Sequence, residues 1–140
     1  MTKATVKIGT RRLKRVIARM GKGDVISDKA FNKYANGVTK YSLAVWDAVI
    51  KELPADGFYK AEMTYRPEPP YNVKTAILHL YHNSGVKVKL HGVNSGYSGE
   101  GPRGTFKVLT DIGFKQADIA FKKETFLLRR RATANTLQRV

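Results

Sequence analysis

Hydrophobic residues recur at helical spacing in the first third of the chain. Four apolar side chains fall at i, i+3, i+4 and i+7, which places them on one face of a helix: Leu13, Val16, Ile17 and Met20. The pattern predicts a short amphipathic helix over residues 10–20, capped by Thr10. A similar apolar stripe predicts a longer helix from Lys29 to Leu53, in which Gly37 is a weak point.

Beyond residue 57 the period changes from helical to alternating. Strands are predicted over residues 58–66, 73–81 and 86–90. The proline-rich segment 67–70 is predicted to be a rigid connector between the first two strands, and residues 82–85 a hairpin turn. In the third strand Val86, Val88 and Leu90 alternate with Lys87 and Lys89, which predicts one buried face and one basic outer face.

The last third of the chain begins with a glycine-rich loop over residues 92–104, followed by a predicted helix over 105–112. Residues 117–128 fit either a helix or a tight hairpin. The predicted fold class is α+β, with two N-terminal helices packed on a small antiparallel sheet of three or four strands and a C-terminal helix after the glycine-rich loop. We expect one domain over residues 1–128 and a basic tail over 129–140.

The amino-acid composition limits the classes of protein to which the chain can belong. The chain has 140 residues, 42% of them hydrophobic, which suits a single globular domain with a real core. It has no cysteine, so disulfides, thiolate catalysis and cysteine-bound zinc are excluded. No apolar run is long enough for a signal peptide or a membrane span. These features predict a soluble protein of the cytoplasm, or of a particle assembled there, that does not bind membranes.

The charge distribution is the strongest functional signal. Lysine and arginine number 26 against 11 acidic residues, a net charge of +15. Residues 1–22 carry eight basic and no acidic side chains, residues 23–71 are nearly neutral, and residues 72–140 carry twelve basic and four acidic ones. Such a field attracts polyanions and raises their association rate.

The predicted N-terminal helix is the first candidate site, since its outer face is cationic. The predicted nucleic-acid-binding residues are Arg11, Arg12, Lys14, Arg15 and Arg19. No acidic residue in this stretch neutralises them, and no asparagine or glutamine is present to read bases, so phosphate contacts are expected. The alternative interpretation is a solvated helix face. Four further arginines either extend this basic surface or form a basic tail: Arg129, Arg130, Arg131 and Arg139.

The glycine-rich loop is the second candidate site, because glycines let successive backbone N–H groups converge on an anion and a helix N-terminus follows. The predicted ligand-binding residues are His91, Ser95, Gly96, Tyr97, Ser98, Gly99, Gly101, Arg103, Gly104 and Thr105. Residues 99–104 match the letters of a dinucleotide fingerprint, but Pro102 and the lack of a βαβ unit argue against one. The alternative is a surface loop whose glycines serve turns.

Catalytic and metal chemistry have little support. The three histidines lack nearby carboxylates at ligand spacing, and His91 with Glu100 is the best acid–base pair available. Packing is preferred over a stacking platform for Tyr59, Tyr65, Tyr71 and Tyr81. We therefore predict no catalytic residue, metal or cofactor.

The leading functional hypothesis is non-enzymatic binding of a phosphate-rich ligand, most of all nucleic acid on a basic surface. One alternative is capture of a small signalling nucleotide at the glycine-rich loop. Another is a structural protein of a viral or phage particle that touches a genome or an acidic partner. Self-association into a homo-oligomer stays open.

Overall fold

The protein has a mixed α+β fold. A computed structural model describes residues 10–31, 38–68, 73–96 and 99–131. The helices are α1 (Thr10–Ala18), α2 (Thr39–Glu52), α3 (Glu100–Asp111) and the short α4 (Ala117–Ala120). The strands are β1 (Val25–Ser27), β2 (Phe58–Glu68), β3 (Val73–His82), β4 (Lys87–Leu90) and β5 (Phe126–Arg129). No described helix is long and apolar enough to cross a bilayer.

The five strands form one sheet in the order β1-β4-β3-β2-β5. All neighbouring pairs are antiparallel except β1 and β4, which are parallel. The expectation of a purely antiparallel sheet of three or four strands was therefore wrong in strand number and in one pairing. Parallel strands need a crossover, and here the chain passes through α2 and the β2–β3 hairpin between β1 and β4.

The hairpin of β2 and β3 is longer than the rest of the sheet. The pairing of β2 with β5 ends at Met63, whereas its pairing with β3 continues to Glu68. Pro67 lies within this two-stranded extension, opposite Lys74, so the predicted connector starts later than expected. Proline is tolerated in a strand where its missing N–H faces an unpaired edge.

One face of the sheet contributes its side chains to the hydrophobic core. Side chains that alternate along β2, β3 and β4 are almost fully buried there, at 0–1% exposure: Ala61, Met63, Leu78, Leu80, Val88 and Leu90. Helix α2 packs on them through Val45, Trp46 and Val49, each 0% exposed. The Trp46 and Phe58 rings lie 5.6 Å apart. The helices α2 and α3 therefore cover this face, each large buried side chain contributing about 1.5–3 kcal/mol.

Helix positions agree with the sequence pattern in α1 and depart from it in the other helices. The predicted second helix was to begin at Lys29, but residues 28–30 form a 3-10 turn and α2 begins at Thr39. The third helix begins at Glu100 rather than at residue 105, so the glycines up to Gly104 belong to its first turns. The segment 117–128 is neither of the two predicted forms but a short helix followed by an edge strand.

Candidate nucleic-acid interface

None of the described helices packs on the second face of the sheet, and side chains on this face form a basic row across four strands. Tyr81 of β3 is paired with Lys87 of β4 on one side and with Lys60 of β2 on the other. Lys60 is in turn paired with Arg129 of β5. Because paired residues of neighbouring strands project to the same face, these four side chains form a line, which we call the basic row.

The centre of the basic row is an aromatic ring between two cations. The Nζ atoms of Lys60 and Lys87 lie 4.6 Å and 5.0 Å from the centroid of the Tyr81 ring, within the range of a cation–π interaction. The ring of Tyr59, a residue that is 36% exposed, lies 6.4 Å from that of Tyr81. The geometry combines two ammonium groups with the flat apolar surface of two aromatic rings.

A second row crosses the same face one step further along the strands. Here Lys89 is paired with His79, His79 with Glu62 and Glu62 with Leu127. The Nε2 atom of His79 is 3.0 Å from the hydroxyl of Thr64. Across the two rows, four cations meet one carboxylate, so this face of the described sheet is positive.

The predicted cationic helix lies on the other side of the molecule from the basic row. Its buried residue Ile17 joins the core, and α1 packs against α2 in the helical layer. Lys14, Arg15 and Arg19 are exposed, whereas the side chains of Arg11 and Arg12 lie outside the described part of the chain. The sequence therefore located one basic surface, and the tertiary structure adds a second.

Two hydroxyl groups of the glycine-rich segment form hydrogen bonds within the protein. The Ser95 hydroxyl donates to the carbonyl of Glu124 at 3.1 Å, and the Thr105 hydroxyl donates to the carbonyl of Asn94 at 2.7 Å. The N–H of Gly96 donates to the carbonyl of Phe121 at 3.0 Å. These predicted phosphate donors therefore tie the segment to its own fold.

The glycines of this segment are explained by close packing. A Cβ atom at Gly104 would lie 2.7 Å from Cγ2 of Thr39, and one at Gly101 would overlap the Asn94 side chain. Gly99 precedes α3 in an extended conformation. In the following turn Glu100 brings a negative charge and Pro102 has no N–H to offer an anion.

The other predicted ligand-binding residues of this segment do not form a cluster in the described part of the chain. Arg103 is exposed on α3. Tyr97 and Ser98 lie outside the described residues.

The carboxylate that engages His91 is Asp28, which is 0% exposed, and not Glu100. Nδ1 of His91 lies 2.7 Å from Oδ1 of Asp28, and the backbone N–H of His91 donates to Oδ2 at 2.8 Å. The hydroxyl of Ser42 donates to the same Oδ2. Nothing in the local sequence connects Asp28 to His91, which lies 63 positions away.

Two further basic residues are committed to the fold. Arg130 donates from Nε to the carbonyl of Phe58 at 2.8 Å and from Nη2 to that of Ala55 at 3.1 Å. Burial lowers the pKa of its guanidinium. The ammonium of Lys107 lies 3.1 Å from Asp47 and 2.7 Å from Asp111. These two side chains are structural, unlike those of the basic row.

No group of three or more histidine, aspartate and glutamate side chains in the described chain is arranged to hold a metal ion. Comparison with models of protein families, with curated proteins and with solved structures finds no match to this chain. The protein is a mixed α+β protein with one helix-covered sheet face and one cationic sheet face on which none of the described helices packs.

Proposed function

We propose that the protein binds single-stranded nucleic acid on the sheet face that carries the basic row, without strong sequence preference. The observation that carries the proposal is the basic row, in which Lys60 and Lys87 flank the ring of Tyr81 and Arg129 extends the line to the sheet edge. Nothing in the described helical layer covers this row.

The chemistry of the row suits a polyanion that carries flat bases. Phosphate contacts supply most of the affinity of sequence-independent binding, and the three cations of the row lie on neighbouring strands. Aromatic side chains stack on bases of any sequence, which Tyr59 and Tyr81 offer here. Stacking requires bases that are not already paired and stacked in a duplex, so single strands are favoured. The row contains no asparagine or glutamine that would read base edges.

The basic row is a better candidate for binding nucleic acid than the glycine-rich segment. The hydroxyls of Ser95 and Thr105 already donate to carbonyl groups, whereas the ammonium groups of Lys60 and Lys87 lie over the half-buried ring of Tyr81. Long lysine side chains move from a ring to a phosphate at small cost in conformational energy. Capture of a small nucleotide at the glycine-rich segment would require these internal bonds to be replaced.

The test is fluorescence anisotropy with a labelled 12-nucleotide RNA, the corresponding DNA single strand, a DNA duplex and a cyclic dinucleotide, at several salt concentrations. Three phosphate contacts on a single strand give a slope of log affinity against log salt of about −2, and each lost contact makes it shallower by about 0.7. We expect Lys60→Gln and Lys87→Gln to show that change. Tyr81→Ala should weaken binding by about 1–3 kcal/mol and leave the slope unchanged.

Charge-matched controls come from the helical layer, where Lys14→Gln and Arg19→Gln remove exposed cations from α1. The proposal predicts that these variants bind single strands nearly as well as the wild type. Loss of binding in the α1 variants with no effect at Lys60 or Lys87 would move the interface to α1 and refute the sheet. Tight binding of the cyclic dinucleotide alone would favour the glycine-rich segment instead.

A further inference from the structure

A cavity lies beside the end of the basic row, between α4 and the edge strand β5. Its volume is about 330 Å³, at the lower end of the range for small-molecule sites. Its apolar lining comes from Ala120, Phe126 and Leu127, and its polar lining from Gln116, Lys123 and Thr125. The cavity is therefore large enough for one flat, partly polar ring.

The backbone of β5 adds hydrogen-bonding groups at this cavity. The N–H of Arg130 donates to the carbonyl of Tyr59, so every second residue of β5 directs its backbone towards β2. In an antiparallel ladder the residues between them direct N–H and C=O the other way, which assigns the open edge to Leu127 and Arg129. The side chain of Leu127 is 49% exposed, so the cavity mouth carries both apolar surface and backbone donors and acceptors.

The cavity lies at the sheet edge where the basic row ends. Arg129 is the last member of the row, and Leu127 lies two residues away on the same face of the same strand, a separation of about 6.5–7 Å. Lys123, which lines the cavity, adds another cation beyond the end of the basic row. Because the side chain of Phe126 lies on the helix-covered face, a nucleic-acid strand that follows the cations from β4 to β5 would pass around the edge of β5 to reach the cavity.

We propose that this cavity is a pocket for one nucleobase of the bound strand, an inference that rests on the proposed single-strand binding. The base would lie against Ala120 and Phe126, with its polar edge at the Gln116 amide and the backbone of Leu127. Lys123 would hold an adjacent phosphate. The pocket gives the protein a contact with bases that the cations of the row alone do not provide.

The test compares a 12-nucleotide RNA with an abasic strand of the same length and charge. Thr125→Trp places a large ring at the exposed rim of the pocket, and Gln116→Ala removes its side-chain amide. Thr110→Trp, at an exposed position of α3, is the matched control. We expect Thr125→Trp to weaken RNA binding about 10-fold, the scale of one lost base contact, without changing the salt slope or the affinity for the abasic strand. Gln116→Ala should have a smaller effect of the same kind.

The outcomes separate this inference from the proposed function. If the wild type binds RNA and the Lys60→Gln variant weakens it, but Thr125→Trp and Gln116→Ala bind like Thr110→Trp, the pocket is refuted and the basic row stands. If the wild type binds neither RNA nor the abasic strand, both are refuted. Thermal melts of the three variants identify any loss of affinity that comes from unfolding.

Discussion

Removal of the buried carboxylate of Asp28 should destabilise the protein more than the loss of any surface charge. Asp28 is 0% exposed and accepts three hydrogen bonds, from the Ser42 hydroxyl and from the backbone N–H and Nδ1 of His91. These bonds join the turn after β1, helix α2 and the end of β4. In Asp28→Ala all three donors lose their acceptor at once.

The magnitude follows from burial. A buried donor left without a partner costs about 1–3 kcal/mol, and three donors lose their acceptor in this variant. The Ser42 hydroxyl can rotate to another acceptor, whereas the backbone N–H of His91 cannot. We therefore expect Asp28→Ala to lower the free energy of unfolding by about 3–5 kcal/mol, a large part of the 5–15 kcal/mol typical of a folded domain.

Urea unfolding followed by tryptophan fluorescence measures this loss. Trp46 is the only tryptophan of the chain and is 0% exposed, so its emission reports exposure of the core. The matched control is Asp47→Ala on helix α2, where the carboxylate and its partner Lys107 are both largely exposed. An exposed pair contributes at most about 1 kcal/mol. A loss for Asp28→Ala no larger than that of the control would refute the reasoning.

The remaining predictions concern a histidine and a glycine. Burial lowers the pKa of His82, so the unfolded chain takes up the proton more readily than the folded protein. The free energy of unfolding should therefore fall as the pH drops below about 6.5. Urea titrations should show a weaker pH dependence in His82→Gln, and a pH dependence equal to that of the wild type would contradict this assignment. Gly104→Ala should cost about 1–3 kcal/mol by overpacking, because its Cβ would lie 2.8 Å from Cγ1 of Val93; a thermal melt as stable as that of the exposed control Arg103→Ala would contradict this.

The sequence by itself determined the elements whose hydrophobic period is regular. Ile17 is buried in α1 as the helical spacing predicted, and the long hairpin follows the predicted strands. The basic outer face of β4 was also confirmed, since Val88 and Leu90 are buried while Lys87 and Lys89 are half-buried on the other side. These features depend on side chains two to four residues apart, which local periodicity records.

Elements without a regular period could not be located in this way. Strand β1 has three residues, and α3 begins inside a glycine run that local propensity assigns to a loop. The glycines are accepted there because Thr39, Val93 and Asn94 approach so closely that a larger side chain would collide with them. This close approach depends on tertiary packing, so no local sequence pattern predicts it.

The proposed interface was decided by the tertiary structure. Lys60, Tyr81, Lys87 and Arg129 are separated along the chain and meet only because four strands pair in one register. A shift of one residue would turn the side chains of a strand to the opposite face. The same holds for Asp28 and His91, whose contact joins two parallel strand ends. Composition predicted a polyanion as the partner, but the place where cations and rings converge depends on strand order and register, which are set by burial of the opposite, apolar face of the sheet.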